Sequence, residues 1–264
     1  MIYFLAPFYN EEEFLKKFTS NLTQSATKYF KRDFKIVLVN DGSTDDSLAI
    51  VKAFQKKHSV ILISYKPNKG VDYAFETGFK KILDIAKNDD IIISLESDNT
   101  SDLAILPKMI GKINKGADVV LASCYAKGGG ITGTGSFRQL TSKIANTILY
   151  IVFPIKGVKT YSSFYRAYKL KPFKKAWLAY NGDLIKEKGF ACMVEMLIKL
   201  SKFPIKIEEV PMVLRWENRR GKSKMKIGKT VLGYGLLVKE LFFKEQFGTA
   251  NVINKARDNW AKYK

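Results

Sequence analysis

The stretch FKIVLVNDGSTD, residues 34–45, contains the pattern on which the fold assignment depends. Its first part, Phe34–Asn40, is a short run rich in Ile, Val and Leu, which is typical of a strand buried on both faces of a sheet. An acidic turn with one glycine follows, and Asp45 is suited to cap the segment of helical length behind it. Strand, polar turn and helix in this order form the repeating unit of parallel α/β sheets.

The same unit recurs along the first half of the chain. The sequence therefore predicts an α/β fold, a mostly parallel, Rossmann-like sheet with helices on both faces. The predicted strands are Ile2–Pro7, Phe34–Asn40, Val60–Ser64, Ile91–Leu95 and Asp118–Ser123, and the predicted helices are Glu11–Tyr29, Asp45–Lys57, Val71–Ala86 and Leu103–Lys115. In the second half, a glycine-rich loop at 128–135 precedes predicted helices at Phe137–Phe153 and Phe190–Leu200 and a strand-like run at Ile205–Val213.

Carboxylates follow three of the predicted strands, at the edge where parallel sheets bind their ligands. Glu96 and Asp98 stand two residues apart after the fourth strand and are able to share one divalent cation. Mg²⁺ or Mn²⁺ prefers such hard oxygen ligands, and phosphate oxygens complete the coordination shell. Asp41, after the second strand, is placed to accept hydrogen bonds from a base or a ribose. The competing interpretation is that these acids only cap helices.

Several protein classes are excluded by composition and missing motifs. The first strand-to-helix turn lacks G-x-G-x-x-G, and the chain has no G-x-x-x-x-G-K-[ST] loop, so NAD or FAD binding and ATP hydrolysis are not expected. Two cysteines in 264 residues make no disulfide framework. The longest uncharged apolar run, Ile144–Ile155, is shorter than the roughly 20 residues that span a bilayer. No signal peptide is expected at the N-terminus.

Positive charge is concentrated in the second half. Residues 1–125 hold 17 Lys and Arg against 16 Asp and Glu, a net charge of +1, whereas residues 126–264 hold 28 against 9, a net charge of +19. The second half is therefore expected to face an anionic partner, which is a nucleic acid, an acidic membrane surface or a phosphorylated substrate. The alternative is that the basicity belongs to a generally lysine-rich proteome and reports only solubility. Apolar residues recur at helical spacing between Ile227 and Phe243 with lysines beside them, as in an interfacial amphipathic helix or in one packed on its own domain.

These motifs together resemble the family 2 glycosyltransferases of GT-A fold, within them the dolichyl/polyprenyl-phosphate sugar synthases. PFYNEE (7–12) is similar to the family's P-x-Y-N-E, VNDGSTD (39–45) to its V-D-D-G-S-x-D, and ESD (96–98) to its D-x-D metal motif. Lys69-Gly70 with Ala74 is loosely similar to K-x-x-G-x-x-x-A, and Arg138 with Ser142 to R-x-x-x-S. GFACMVEML (189–197) is similar to G-F-x-x-x-x-E-M-L, and EVP (209–211) with RRGKSK (219–224) to E-V-P…R-x-x-G-x-S-K.

The resemblance implies a division of the chain and a role for each matching residue. Residues 1–125 would be the nucleotide-sugar-binding half of one GT-A domain, 126–225 its acceptor-binding half, and 226–264 a basic, amphipathic helical tail. The implied donor-nucleotide residues are Pro7, Tyr9, Glu11, Val39, Asp41, Ser97, Arg219 and Lys224; the metal ligands are Glu96 and Asp98; the acceptor-phosphate residues are Arg138 and Ser142; and the catalytic candidates are Asp98, Arg138 and Glu195.

Four departures from the family pattern are present, and they fall mainly on the acceptor side. Cys124 replaces the basic residue of G-S-R-Y, and TYSSFY (160–165) replaces D-x-T-S-G-F. Asn218 stands at the strict position of the R-x-x-G arginine, with Arg219 beside it. Asn40 also replaces the first Asp of V-D-D-G-S. Acceptor identity is therefore less constrained by the resemblance than donor chemistry.

Three functions follow from these observations. The favoured one is a metal-dependent, inverting transfer of a sugar from a donor of the GDP-mannose or UDP-glucose type to a polyprenyl phosphate. The enzyme would be peripheral on the cytoplasmic face of an anionic membrane, where a partner protein would anchor it. The second is transfer to a glycan or glycolipid hydroxyl with Glu195 as base. The third, a non-enzymatic nucleic-acid binder, leaves the strand-end carboxylates unexplained, so nucleic acid is not an expected partner.

Overall fold

The computed structural model of the chain describes residues 1–219, 233–235, 239, 241 and 252–263. Its strands are β1 (Ile2–Phe8), β2 (Phe34–Asp41), β3 (Val60–Tyr65), β4 (Ile91–Ser94), β5 (Val119–Ser123), β6 (Gly130–Thr132), β7 (Arg166–Lys169), β8 (Ile207–Pro211) and β9 (Val213–Arg215). Seven of them form a central sheet in the order β3-β2-β1-β4-β7-β5-β8, and β6 pairs with β9 in a small parallel ribbon. Within the sheet β7 runs antiparallel to both neighbours, and every other pairing is parallel.

Helices cover both faces of this sheet. They are α1 (Glu12–Phe30), α2 (Ser47–Gln55), α3 (Val71–Ile85), α4 (Leu106–Asn114), α5 (Ser136–Val152), α6 (Leu170–Ala179), α7 (Cys192–Ser201) and α8 (Val252–Lys262). Helices α1, α2 and α4 bury their apolar sides against one face, and α3, α6 and α7 cover the other. Successive strand residues point to opposite faces, so Leu5 packs in one core and Phe4 in the other. The predicted α/β layering is confirmed.

The five strands predicted in the first half are confirmed to within one residue at each end. Two later predictions are wrong in detail. The predicted strand Ile205–Val213 is two strands, because the chain leaves the central sheet at Met212 and β9 pairs with β6 instead. The predicted helix Leu103–Lys115 begins as a 3₁₀ turn, Leu103–Ile105, whose cap is Asp102, and α4 starts only at Leu106.

Strand β7 is antiparallel and inserted between β4 and β5, and no pattern in the sequence predicted it. It has four residues, Arg166–Lys169, and its first is a charged residue that is completely buried. Neither the length nor the composition of such a strand gives a periodic signal. Because β7 separates β5 and β8 from the other strands, it sets the distance between the two halves of the sheet.

The C-terminal segment is described only in part. The amphipathic helix predicted between Ile227 and Phe243 lies outside the described residues, apart from 233–235, 239 and 241. Helix α8 packs on the body of the domain: the Trp260 ring stacks on Phe203 at 4.4 Å, and the Asn259 side-chain amide donates to the Ala179 carbonyl at 3.2 Å. In the described part of the chain no helix combines the length and the apolar character needed to cross a membrane.

Candidate functional site

The turns that follow β1, β2 and β4 meet at one edge of the sheet, because these three strands are parallel neighbours. Hydrogen bonds tie the first two turns together. The Asn10 backbone N–H donates to Ser43 Oγ at 3.0 Å, and the Glu11 N–H donates to Ser47 Oγ at 2.8 Å. Asn10 has a φ of 49°, in the left-handed region that asparagine tolerates. The edge of the sheet is thus a fixed surface of polar turns.

Asp41 organises this surface through the loop that follows β3. Its carboxylate accepts the backbone N–H groups of Lys69 at 2.8 Å and Gly70 at 3.0 Å and the Asn68 side-chain amide at 2.7 Å. Burial raises the pKa of Asp41, and the backbone N–H groups of Lys69 and Gly70 oppose that rise. The Asp41 carboxylate, predicted to bind a base or ribose, therefore already holds residues 68–70 beside the site. A nucleotide that binds Asp41 would share the carboxylate with these residues.

Two predicted donor-binding residues are engaged in ways that the sequence did not indicate. The Val39 side chain is fully buried in the core beside α3, so the predicted contact with a nucleotide would have to involve its backbone. The Ser97 hydroxyl donates to the Pro7 carbonyl at 3.0 Å and joins the ends of β1 and β4, which gives it a structural partner within the fold. Pro7 and Tyr9 are partly buried at the predicted edge.

Glu96 and Asp98 lie where the sequence predicts them, in the turn after β4. Asp98 is buried, and its Oδ1 accepts the Thr100 N–H at 3.0 Å and the Thr100 hydroxyl at 2.7 Å. Its Oδ2 accepts Arg219 Nη1 at 2.9 Å. Withdrawal of the Glu96 carboxylate from water raises its pKa to about 8, and the negative charges of Asp98 and Glu11 act in the same direction.

This arrangement fits a divalent cation that is held partly by its ligand. Within the described residues no group of three Asp, Glu, His or Cys side chains is placed to hold a metal ion. Two neighbouring carboxylates, with the like charge of Glu11 behind them, are instead suited to bind a cation whose other positions are filled by phosphate oxygens and water. Glu96 and Asp98 are therefore the residues that could hold such an ion.

A cavity of about 180 Å³ opens beside Glu96 on the side of the second half. Arg138 and Ser142 of α5 line it, as do Trp216 and Arg219. The Ser142 hydroxyl accepts the Tyr125 hydroxyl at 2.8 Å. The structure therefore brings the predicted acceptor-phosphate residues to the same cavity as one of the predicted metal ligands.

The opposite side of α5 carries a row of exposed apolar side chains, here called the α5 stripe. It consists of Phe137 (77% exposed), Leu140 (56%), Ile144 (49%), Ile148 (51%) and Ile151 (71%). Their spacing of three and four residues places them on one face of the helix. Arg138 and Ser142 lie on a different face, so one helix presents cationic and hydroxyl groups to the cavity and an apolar surface to its surroundings.

Glu195 does not lie at this site. It is 3% exposed, its Oε1 lies 2.6 Å from Lys199 Nζ, and its Oε2 accepts the N–H groups of Lys186 and Glu187 at 2.7 Å each. A carboxylate whose oxygens are both engaged by cationic and backbone donors is a structural group. These contacts favour a structural role for Glu195, and its catalytic role stays a prediction.

The departures from the family pattern have local explanations. The Asn40 amide donates to Ser64 Oγ at 3.0 Å and accepts the Ser43 N–H at 3.0 Å, so it supports the turn after β2. Burial raises the pKa of the Cys124 thiol to about 11, which leaves a neutral, unreactive side chain at the cavity. Arg219, and not Asn218, contacts Asp98. Lys224 lies outside the described residues.

Sequence reasoning missed Trp216, which lines the cavity and lies under the Arg138 guanidinium at 4.0 Å from the ring centroid. Its position three residues before Arg219, inside a strongly basic segment, was the available signal. An aromatic residue among arginines is often found in contact with one of them.

A family model described as "Glycosyl transferase family 2" matches residues 3–177, which include all three strand-end acid turns, Arg138 and Ser142. The chain belongs to glycosyl transferase family 2. Among the relatives of this family 2 chain is the dolichol-phosphate mannosyltransferase of Pyrococcus furiosus, 29% identical over 87% of this chain and 60% of its own length. Another is the polyprenol monophosphomannose synthase of Mycolicibacterium smegmatis, 23% identical over 96% of this chain and 89% of its own length. The chain thus spans about 60% of the Pyrococcus relative.

Solved structures agree on the fold. Glucosyl-3-phosphoglycerate synthase from Mycobacterium tuberculosis, in complex with Mn²⁺, uridine diphosphate and glucosyl-3-phosphoglycerate, superposes with a TM-score of 0.58 at 16% identity, over 91% of this chain and 78% of that one. The family 2 chain has the GT-A fold, with its mostly parallel sheet between two helical layers.

Proposed function

We propose that this enzyme transfers a sugar, with inversion, from a nucleotide-sugar donor to the phosphate of a polyprenyl lipid at a membrane surface, with Mg²⁺ or Mn²⁺ held by Glu96 and Asp98. The observation that carries the proposal is the double character of α5. Arg138 and Ser142 on one face line the cavity beside Glu96, and the α5 stripe on another face is exposed. A polyprenyl phosphate likewise combines an anionic phosphate, which suits Arg138 and Ser142, with a long hydrocarbon chain, which suits an apolar surface.

On the donor side, the diphosphate would bind at the turn after β4. A divalent ion there, when bound, neutralises the charge that develops on the departing nucleoside diphosphate. Arg219 contacts Asp98 at 2.9 Å, within reach of a diphosphate on this turn. Glu11, Tyr9 and Pro7 would hold the base and ribose beside Asp41, in the region predicted from the sequence. The M. tuberculosis structure that contains Mn²⁺ and uridine diphosphate supports the same class of donor.

The chemical step needs little from the protein on the acceptor side. A phosphate oxygen of the acceptor attacks the anomeric carbon from the face opposite the leaving group. The bond from that carbon to the diphosphate oxygen breaks, and its electron pair leaves with the nucleoside diphosphate. Because a phosphate is already anionic near neutral pH, no general base has to remove a proton. Arg138 would orient the phosphate through its guanidinium, a geometry suited to paired phosphate oxygens.

The hydroxyl-acceptor alternative is less well supported. It needs a base, and Glu195 is engaged by Lys199 and two backbone amides. Among the described residues that line the cavity, Glu96 is the only acid, and it is needed for the metal. The relatives' names favour a lipid phosphate, since the P. furiosus relative is named for dolichol phosphate and the M. smegmatis relative for polyprenol monophosphomannose.

The membrane part of the proposal rests on charge and on the α5 stripe. Residues 126–264 carry a net charge of +19, which suits the anionic cytoplasmic leaflet, where each nearby Lys or Arg contributes about 1 kcal/mol. The exposed side chains of Phe137 and Ile151 would enter the interface between headgroups and acyl chains. Peripheral association of this kind would deliver the lipid phosphate to Arg138.

The test is a transfer assay with labelled UDP-glucose and GDP-mannose, each with Mn²⁺, Mg²⁺ or EDTA. Undecaprenyl phosphate is the acceptor and undecaprenol the matched control. We expect a labelled, acid-labile lipid only with the phosphate and a metal, and its loss in Asp98→Asn and Arg138→Gln. Transfer to undecaprenol but not to its phosphate would favour the hydroxyl alternative. A wild-type protein that binds no sugar nucleotide with either metal would overturn the donor assignment.

A further inference from the structure

The Trp216 indole lies beside two guanidinium groups. The Arg138 guanidinium is 4.0 Å from the ring centroid, and the Arg219 guanidinium is 5.7 Å from it. Arg138 comes from α5, and Arg219 follows directly on the 3₁₀ turn Trp216–Asn218 after β9. All three side chains line the cavity beside Glu96. One aromatic ring therefore contacts the cation assigned to the acceptor phosphate and approaches the one assigned to the donor diphosphate.

The turn that carries this ring is fixed to the rest of the site. Glu217 accepts the Thr132 hydroxyl on both carboxylate oxygens at 2.9 Å, which ties the turn to β6. The Arg215 N–H donates to the Thr100 carbonyl at 3.2 Å, directly behind the Asp98 turn. Gly133 has a φ of 70° and packs so closely on Glu217 that a Cβ there would overlap its backbone. The Trp216 ring is thus held in one place relative to the residues assigned to the donor diphosphate and to the acceptor phosphate.

Arg138 needs such a support. It is a long side chain with many rotamers, and the nearby positive charge of Arg219 repels it. Partial burial lowers the pKa of Arg138, and the charge of Arg219 acts in the same direction. An aromatic ring attracts a guanidinium that lies over its face and so restricts the position of that group. The ring therefore offsets part of the repulsion between the two guanidinium groups beside the cavity.

We infer that Trp216 is a positioning residue, which holds the Arg138 guanidinium over its ring so that the acceptor phosphate meets a preoriented cation. The inference rests on the proposed function, since it names the residue that aligns the acceptor-phosphate group of that same site. Trp216 itself takes no part in bond making. It acts through Arg138, and its effect depends on the presence of that arginine.

A double-mutant cycle tests this dependence. Binding of farnesyl monophosphate is measured by calorimetry on wild type, Trp216→Leu, Arg138→Gln and the double variant, with the KM of acceptor and donor measured in parallel. Trp216→Leu should weaken the binding of farnesyl phosphate about fivefold and raise the acceptor KM by a similar factor. This is the size expected for the loss of one cation–π contact. In the Arg138→Gln background the same change should have no further effect. Trp216→Phe, which keeps an aromatic face, should retain affinity to within about twofold.

Trp260→Leu is the matched control, because Lys175 lies 4.2 Å from that ring, outside the residues that line the cavity. It should leave farnesyl phosphate affinity unchanged. Equal losses from Trp216→Leu with and without Arg138 would mean that Trp216 only supports the fold of the cavity, and the inference would be overturned. If the wild type binds no farnesyl phosphate, the proposed acceptor is wrong, and the cycle is measured with inorganic phosphate. A non-additive result there keeps the positioning role, and no phosphate binding removes it.

Discussion

Arg219 Nη1 lies 2.9 Å from Asp98 Oδ2, and this ion pair joins the turn after β9 to the turn after β4. Both side chains are largely buried, at 12% and 6% exposure, so solvent screens the pair weakly. Thr100 engages the other oxygen of the Asp98 carboxylate. A cation that binds Asp98 therefore competes with Arg219, and a diphosphate on the same turn would give Arg219 an alternative partner.

The first prediction is that Arg219→Ala changes metal and nucleotide binding in opposite directions. Mn²⁺ alone should bind about tenfold more tightly, because a charge-assisted hydrogen bond of about 1.5 kcal/mol no longer competes for Asp98. A nucleoside diphosphate with saturating Mn²⁺ should bind more weakly. The measurement is the electron paramagnetic resonance signal of free Mn²⁺, with calorimetry for the nucleotide. Arg215→Ala, on the exposed part of β9, is the control, and a weaker Mn²⁺ affinity in Arg219→Ala would contradict the competition.

The second prediction separates structural from catalytic roles for Glu195. Glu195→Gln leaves Lys199 buried without its carboxylate, and breaking such a pair costs about 3 kcal/mol of unfolding free energy. We expect a lower urea midpoint at constant slope, with kcat of the folded fraction unchanged. Glu76→Gln, which removes an exposed pair with Lys80 on α3, should lower the midpoint by far less. A large loss of kcat at wild-type stability would restore Glu195 as the base of a hydroxyl-directed enzyme.

The third prediction concerns acid stability. Hydrogen bonds from Lys112 and Lys206 lower the pKa of Glu208 to about 2, from an ordinary value near 4.5. Because the pKa is lower in the folded state, the stabilisation is fully present above the unfolded-state value and is lost as pH falls from about 4.5 to about 2. Glu208→Gln should therefore lower Tm at pH 6 slightly and flatten its fall across this window. The same slope in wild type and variant would contradict the assignment.

Local sequence patterns were sufficient for the strands of the first half, because buried parallel strands are short apolar runs bounded by polar turns. Glu96 and Asp98 were predicted for the same reason, since they follow a recognisable strand, whereas Arg138 and Ser142 were assigned only by the resemblance to the family's R-x-x-x-S. What the sequence could not provide were contacts set by tertiary structure. Arg166 is completely buried and donates to three backbone carbonyls, those of Tyr161, Ser163 and Met193, which no spacing along the chain encodes.

The same limit applies to the contacts of three predicted site residues, Val39, Ser97 and Glu195. Val39 and Ser97 occupy motif positions. The Val39 side chain, however, packs under α3, and the Ser97 hydroxyl donates to the Pro7 carbonyl. Glu195 has the composition of a catalytic acid, and only its contacts with Lys199 and the 186–187 backbone identify it as structural. A motif specifies which residue types meet at a turn, whereas the partners of each side chain depend on elements far away in the sequence.

The last prediction places the membrane contact on α5. The residues of the α5 stripe are exposed, whereas a helix packed on its own domain through that face would bury them. Phe137 and Ile151 lie at opposite ends of the stripe. Each large apolar side chain that enters the interface contributes up to roughly 2 kcal/mol. The double variant Ile144→Asp, Ile151→Asp should therefore abolish flotation with vesicles of anionic lipid, while its Tm stays near that of wild type. Leu178→Asp, which alters an exposed apolar residue on α6, should float as wild type does.

Salt separates this contact from a purely electrostatic one. Attraction between the basic second half and anionic headgroups is screened over about 10 Å at 0.1 M salt and over about 3 Å at 1 M. Insertion of the α5 stripe is not weakened in this way, so wild-type flotation should persist in part at 1 M NaCl and the residual binding should disappear in the double variant. The opposite result would be that 1 M NaCl removes all wild-type binding and that the double variant still floats at low salt. It would show that the lysines and arginines alone bind the membrane and that α5 contacts something other than lipid.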